Sequence, residues 1–209
     1  MTCRLCSSNN LIPVSGKDDR EYLLCNSCNL ISVKEKYFLT EYEEKKRYLE
    51  HENGIYHTGY VNFLNRAIQP LLQYLTPDMI GLDYGCGYAP TISELLRKDG
   101  FICHNYDPIF FPDTLLSKHN FIYSTEVFEH FFNPSTEMRK LVDLLLIGGY
   151  LVIMSERWNS IEQFSNWYYT TDPTHVAFYH NTTFDYICIK YKFEKIYDDG
   201  SRVLILKKI

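Results

Sequence analysis

A chain of 209 residues with 45% hydrophobic content can hold one full α/β domain with a small appendage, but not two large domains. Its formal net charge of −5, with no long basic run, argues against a protein that holds nucleic acid mainly through phosphates and leaves only a local basic groove for such a partner. No run of 18 or more apolar residues occurs and the first residues are Met-Thr-Cys-Arg, so the expectation is a cytoplasmic protein with reduced thiols and no membrane contact.

Composition divides the chain into residues 1–35, 36–77 and 78–209. In the first part, Cys3-x-x-Cys6 and Cys25-x-x-Cys28 stand 18 residues apart, the spacing of a zinc ribbon. Each pair presents two thiolates to one tetrahedral zinc at ~2.3 Å, and so short a segment relies on the metal to stay folded. Four thiolates leave no open position for activating water, so the expected role is structural. Free thiols or a redox pair are the competing reading. The spacing does not decide whether the ribbon selects a substrate or caps the helices that follow. Cys86, Cys103 and Cys188 read as small hydrophobes within core elements.

Residues 38–76 read as helical. Thr40 with Glu43 forms a capping box, Glu41/Lys45 and Glu43/Arg47 are favourable pairs four apart, and Val61, Leu64, Ile68, Leu71, Leu72 and Leu75 recur at helical spacing, with Pro70 expected to restart or kink the helix. From residue 79 strands and helices alternate: a strand over 79–83, a helix over 90–98 closed by Gly100, a strand over 101–106 and a strand over 121–124. Asn133-Pro134 then caps a helix that Gly148-Gly149 ends, and a strand follows over 150–154. Residues 193–197 and 203–207 flank Asp198-Asp199-Gly200-Ser201 as a hairpin. The alternation implies a mostly parallel α/β sheet with a C-terminal antiparallel hairpin.

The strand that runs into Gly85-Cys86-Gly87 and then a helix makes a tight turn whose backbone can approach a ligand closely. Asp107 ends the next strand, where doubly wound folds place a carboxylate against ribose hydroxyls. Glycine spacing alone is equally compatible with an ordinary turn before a helix.

These residues resemble the class I S-adenosylmethionine (SAM)-dependent methyltransferases. The family's acidic residue followed by Gly-x-Gly-x-Gly is matched by Asp83, Gly85 and Gly87, with Ala89 in place of the third glycine. Thr125-Glu126-Val127-Phe128-Glu129-His130 resembles the family's segment beside adenine and the methyl group, and Leu146 to Leu151 resembles the turn before its fifth strand. The resemblance implies a Rossmann-like fold, SAM as cofactor and S-adenosylhomocysteine (SAH) as product. It places the cofactor among Asp83, Gly85, Cys86, Gly87, Asp107, Pro108, Thr125, Glu126, Val127 and His130. Only 13 residues separate Asp107 from Phe121, too few for a helix, a strand and their connections. The family's third strand is therefore expected to be missing, leaving the order 2-1-4-5-7-6 in family numbering.

The wider pattern is similar to a bacterial group of methyltransferases of undefined substrate, which combine four N-terminal cysteines, a stretch matched by Arg47, Tyr48, His51 and Asn53, and a stretch matched by Asn166 to Tyr169 and Asp172 to Val176. Tyr48 and His51 are expected to lid the cofactor, with Tyr56 and Tyr60 as further candidates; a solvated helix face is the plainer alternative. For the acceptor, His175, His130, Asp172 and Tyr168 are the candidate catalytic groups, because a hydroxyl, acidic carbon or protonated nitrogen must lose a proton to be methylated. The alternatives are a loop hydrogen-bond role for His175 and a pocket-shaping role for His130. Three functions follow: a methyltransferase for a small-molecule acceptor, one that modifies RNA or protein through the ribbon, and a non-catalytic SAM-binding protein.

Overall fold

A computed structural model describes residues 1–50, 53–113 and 117–209. In chain order it contains β1 (Leu11–Ser15), β2 (Glu21–Cys25), β3 (Ile31–Val33), α1 (Glu41–Tyr48), α2 (Thr58–Leu72), β4 (Ile80–Tyr84), α3 (Thr91–Lys98), β5 (Ile102–Tyr106) and β6 (His119–Thr125). There follow α4 (Pro134–Leu144), β7 (Leu145–Met154), α5 (Ile161–Phe164), β8 (Ala177–Phe178), α6 (Asn181–Tyr191), β9 (Phe193–Asp198) and β10 (Val203–Lys208). Among the described residues no helix is long and apolar enough to cross a membrane.

The central sheet has the order β5-β4-β6-β7-β10-β9, with β5, β4, β6 and β7 parallel and β10 antiparallel to both neighbours. This is the expected 2-1-4-5-7-6 arrangement, with β5 at the edge because no third strand covers it. Period-two alternation sorts the side chains onto two faces. Phe121, Tyr123, Val152, Met154, Val203 and Ile205 pack with Leu64, Ile68 and Leu71 of α2 and Ile92 and Leu96 of α3. Ile122, Leu151, Ile153, Leu204 and Leu206 pack on the other face with Met138 and Leu141 of α4 and Phe184 and Ile187 of α6. Both faces are covered, as a parallel sheet requires.

The cysteine-bearing segment is not a detached module. Its antiparallel sheet, β1-β2-β3, is completed by β8 from the far end of the chain, through Ile31 opposite Phe178 and Ser32 opposite Ala177. Tyr22, Leu24, Ile31 and Val33 share a buried cluster with Trp158, Phe164, Trp167, Tyr169 and Val176. The ribbon thus packs directly on the loop that carries His175.

Several local expectations hold. Thr40 and Glu43 form the reciprocal capping box, Asn133 caps α4 with Pro134 in its first turn, and β9 and β10 form the hairpin. Pro70 sits in the last turn of α2, which continues to Leu72. One boundary differs: α4 ends at Leu144, and Gly148-Gly149 lies inside β7 rather than ending the helix. Gly148 has φ +79° where the register against β6 shifts, and a Cβ on Gly149 would stand 2.6 Å from the Asn120 carbonyl oxygen. These glycines serve a bulge and a close strand approach. Helix α6 has no counterpart in the sequence reading. Its β-branched Thr182, Thr183, Ile187 and Ile189 lower helix propensity, and its C-cap is a left-handed Lys192 rather than a glycine.

Candidate functional site

The C-terminal ends of β4, β5 and β6 open into one cavity of about 850 Å³, where open α/β sheets place their ligands. At its floor, Gly85 (φ +83°) and Gly87 (φ +64°) occupy backbone conformations that suit glycine. A Cβ on Gly85 would stand 2.5 Å from a Val127 methyl, whereas a Cβ on Gly87 would meet nothing within 4 Å. The first glycine lets two segments close on each other and the second leaves room above the turn. The turn is fixed to β5 by the Gly85 and Cys86 N–H groups, which donate to the Tyr106 carbonyl at 2.7 and 3.1 Å.

Asp107 stands at the end of β5. Its carboxylate accepts from Gly87 N–H at 3.0 Å and from the Ile109 and Phe110 N–H groups at 2.9 and 3.0 Å. Asp83 beneath it is 3% exposed, and burial together with the Asp107 charge pushes its carboxyl up to about 8. Pro108, Cys86, Thr125, Glu126 and Val127 also line the cavity. Glu126 has φ +54°, unusual for a non-glycine residue. Burial and the Glu129 charge push its carboxyl up to about 8, while Arg202 pairs with it at 2.9 Å and with Glu156 at 2.6 Å. Arg202, immediately before β10, is a cavity residue that the sequence reading missed, since no local motif marks it.

Over the cavity lies α1, contributing Glu44, Arg47 and Tyr48, with Tyr60 from α2 beside them. Burial pushes Glu44 up to about 7. The expected lid residue Tyr48 meets the His130 ring edge-to-face at 5.3 Å. His51 lies outside the described residues. Tyr56 is 96% exposed and, unlike Tyr60, does not line the cavity.

A second group of cavity residues is Glu129, His130 and His175. One ligand atom from each lies within 4.8 Å of the others. His130 Nδ1 contacts the Thr174 carbonyl at 3.1 Å and His175 Nδ1 contacts the Tyr169 carbonyl at 2.7 Å. A carbonyl only accepts, so both Nδ1 atoms carry hydrogen, and in a neutral ring the lone pair then sits on Nε2. Burial and the neighbouring His130 lower the His175 pKa to about 4, so this imidazole is neutral at pH 7. Glu129 is fully buried and accepts from the Ser155 hydroxyl at 2.9 Å and from the Tyr169 hydroxyl.

Asp172 and Tyr168, expected among the catalytic groups, have other commitments. Asp172 accepts from Arg47 at 2.8 and 3.1 Å and from the Thr174 N–H and hydroxyl at 3.0 and 2.5 Å. Against the upward push of burial, the Thr174 hydroxyl and Arg47 guanidinium hold its carboxyl well below the usual range. With its lone pairs engaged, it ties α1 to the 170–175 loop and is poorly suited to take a proton. Tyr168 is 57% exposed and donates to Glu156 at the cavity rim. Arg20 of β2's approach, also missed, donates to the carbonyls of Pro173 at 3.2 Å, His175 at 2.9 Å, Asp172 at 3.1 Å and Thr170. It fastens the loop that carries His175 to the ribbon.

The four N-terminal thiols meet at one point. Cys3 and Cys28 sulfurs are 3.6 Å apart, Cys6 and Cys25 are 3.5 Å apart, and all four lie within 4.8 Å of one another. Tetrahedral bonds of ~2.3 Å to zinc imply sulfur–sulfur edges of about 3.8 Å, so this donor set fits one structural zinc ion.

Comparison with known proteins agrees with this geometry. A family described as a methyltransferase domain matches residues 56–197. No curated protein matches the chain. Among solved structures, Burkholderia thailandensis 1,6-didemethyltoxoflavin-N1-methyltransferase, with 1,6-didemethyltoxoflavin and SAH bound, superimposes with TM-score 0.55 at 11% identity, over 94% of this chain and 99% of that one. A SAM-dependent methyltransferase from Archaeoglobus fulgidus gives TM-score 0.51 at 16% identity, over 71% and 99%. The SAM-dependent methyltransferase SibL gives TM-score 0.51 at 13% identity over 72% of this chain. The match spans only 56% of the length of SibL and of LaPhzM. With most of its length matched and the sheet order in agreement, the chain belongs to the methyltransferase-domain family and has the fold of class I SAM-dependent methyltransferases.

Proposed function

We propose that the protein transfers a methyl group from SAM to a small-molecule acceptor. The observation that carries this reading is a single cavity that holds both a glycine turn with its carboxylate and two imidazoles whose Nδ1 atoms are committed to backbone carbonyls. The open space over Gly87 and the Asp107 carboxylate suit the nucleoside, and the buried Asp83 suits the positively charged end of the cofactor. SAM supplies an activated methyl group, so the protein has to bind, orient and exclude water. In this reading α1 and Tyr48 cover the cofactor, and His175, neutral with its Nε2 free, receives the acceptor's proton with His130 beside it.

Among the described residues, eight carboxyl groups line the cavity against three cationic side chains, Arg47, Lys140 and Arg202. Burial pushes Asp83, Glu44 and Glu126 up towards neutrality, and the other five still outnumber the cations. This favours a small neutral or cationic acceptor over a nucleic acid, whose phosphates such a wall repels. We assign residues 1–35 a zinc-held structural role that fixes the acceptor loop through Arg20, and residues 36–77 the role of connector and lid to the body over 78–209.

Calorimetry with SAH is the direct test. Saturable binding is expected, weakened by roughly 1.5–3 kcal/mol in Asp107→Ala through lost hydrogen bonds to a charged group. Absence of binding at millimolar ligand would reject the cofactor. His175→Ala should lower turnover with SAH affinity nearly unchanged; an unchanged rate removes His175 from the chemistry.

A further inference from the structure

Beyond methyl transfer itself, we propose that Glu129, His130 and His175 bind a divalent transition-metal ion, which draws an acceptor hydroxyl up to the methyl donor. The three donors converge within 4.8 Å, in the same cavity as the glycine turn and distant in sequence from the four-cysteine cluster. Two imidazoles and one carboxylate are the donor set that leaves open coordination positions on a divalent ion.

The surroundings are those of a ligand set. Each imidazole is oriented by its Nδ1–H donating to a backbone carbonyl, Thr174 for His130 and Tyr169 for His175. This is the outer-shell arrangement that fixes a metal-binding tautomer and aims Nε2 at the ion. The Glu129 carboxylate is oriented in turn by the Ser155 and Tyr169 hydroxyls. Tyr169 therefore supports two of the three donors at once, through its hydroxyl and its carbonyl.

Charge points the same way. Glu129 is fully buried, yet among the described residues no lysine or arginine pairs with it, because Arg202 is engaged by Glu126 and Glu156. No described group donates a hydrogen bond to either Nε2. A buried carboxylate beside two imidazoles lacks a positive partner, which burial of charge normally demands. A cation supplies it.

The chemistry rests on the methyl-transfer reading above; the metal binding does not. A hydroxyl that ligates the ion loses its proton to water more readily. Its oxygen then forms a bond to the SAM methyl carbon as the carbon–sulfur bond breaks, and that electron pair stays on sulfur, giving SAH. Open positions on the ion favour an acceptor with two adjacent oxygens, such as a catechol or vicinal diol. With the ion bound, the Nε2 lone pair of His175 is no longer open to a proton: His130 and His175 act through the ion, and water takes the acceptor's proton in place of the direct transfer to His175.

The test uses the full chain, zinc-loaded and stripped of loosely held ions, titrated with Mn²⁺ and followed by electron paramagnetic resonance. Mn²⁺ is chosen because thiolates prefer softer ions. One Mn²⁺ per chain is expected in addition to the zinc. Glu129→Gln and His175→Asn should each weaken it at least about 100-fold, and Tyr169→Phe about tenfold, in line with outer-shell effects. Zinc content and unfolding midpoint serve as controls, and a variant whose midpoint collapses yields to Tyr169→Phe, which keeps the ring. No Mn²⁺ binding by the wild type at millimolar concentration, or equal binding by the folded variants, overturns the site. A catechol should perturb the spectrum of bound Mn²⁺; an unchanged spectrum overturns the proposed acceptor class. If SAH fails to bind while Mn²⁺ binds as described, the methyl-transfer reading falls and the metal site stands.

Discussion

The two ends of the cavity are built by different means. The glycine turn is a backbone device: Gly85, Cys86 and Gly87 bond to Tyr106 and Asp107, all within one strand-helix-strand unit. The imidazole end is a side-chain device drawn from the whole chain. Arg20 and Arg47 reach residues 170–175, and Ser155 and Tyr169 reach Glu129. A backbone device depends on a few residue types at fixed positions. A side-chain device depends on the docking of segments far apart in sequence, so damage to the ribbon should reach it first.

Metal removal tests that difference most severely. The thiols of Cys25 and Cys28 are wholly buried, in one cluster with Phe128 and Tyr179 of the body. If the cluster holds the proposed zinc, stripping it with a chelator removes a contribution on the order of 10 kcal/mol to the folded segment. The unfolding midpoint should fall by at least about 20 °C in calorimetry, since each kcal/mol is worth ~2–4 °C in a domain of this size. Below that midpoint SAH affinity should change far less than acceptor affinity; equal losses would erase the distinction between the ends.

Gly85→Ala attacks the other end. The positive φ costs roughly 1–2 kcal/mol for an L side chain, and the 2.5 Å approach to Val127 adds overpacking of about 1–3 kcal/mol. Pairing it with Val127→Ala should recover the overpacking and leave the φ cost, as denaturant titration would show. Gly87→Ala has open space and should cost only the φ contribution in stability while lowering SAH affinity. If the two single variants destabilise equally, Val127 does not set the turn.

The same contrast explains what the sequence reveals. Gly85, Gly87 and Asp107 are legible because turn geometry demands particular residues at particular spacing, and the absent third strand is legible because 13 residues cannot hold it. Arg20, Arg202 and the completion of the ribbon sheet by β8 are not, since each links positions remote along the chain with no local periodicity. His130 and His175 stand out by residue type, but their shared orientation by Thr174 and Tyr169 carbonyls exists only in three dimensions. Asp172 shows the reverse difficulty: an acidic residue beside aromatics suggests chemistry, while the partners that engage its oxygens, Arg47 and Thr174, are visible only in three dimensions.

Arg20→Met should separate the ends more finely. It deletes a guanidinium that serves four carbonyls of the 170–175 loop, with a stability loss of about 1.5–3 kcal/mol for hydrogen bonds to a charged group. The KM for the acceptor should rise while the Kd for SAH stays within about twofold, less than 0.5 kcal/mol. A matching rise in both would mean that the loop also shapes the cofactor end.

The smallest effect concerns protons. Asp83 titrates near 8 in the folded chain because burial and the Asp107 charge oppose its ionisation, against an ordinary value near 3.8. A raised carboxyl makes the folded state hold the proton more tightly, so its contribution to stability is fully present below about pH 4 and is lost as pH rises to about 8. At pH 7 the free protein therefore holds Asp83 largely protonated. A cofactor with positive charge favours the carboxylate, so binding should release up to about one proton at pH 7. Calorimetry in buffers of different ionisation enthalpy reads that release directly. It should be larger for SAM, which carries the sulfonium, than for SAH, and should fade above pH 9, where Asp83 is already ionised. Asp83→Asn separates its share from those of Glu44 and Glu126, which also titrate high. Asp172, held low by Arg47 and Thr174, titrates far below this range and releases nothing there. Proton release that persists unchanged in Asp83→Asn would move the charge-sensing group away from the glycine turn and towards the lid.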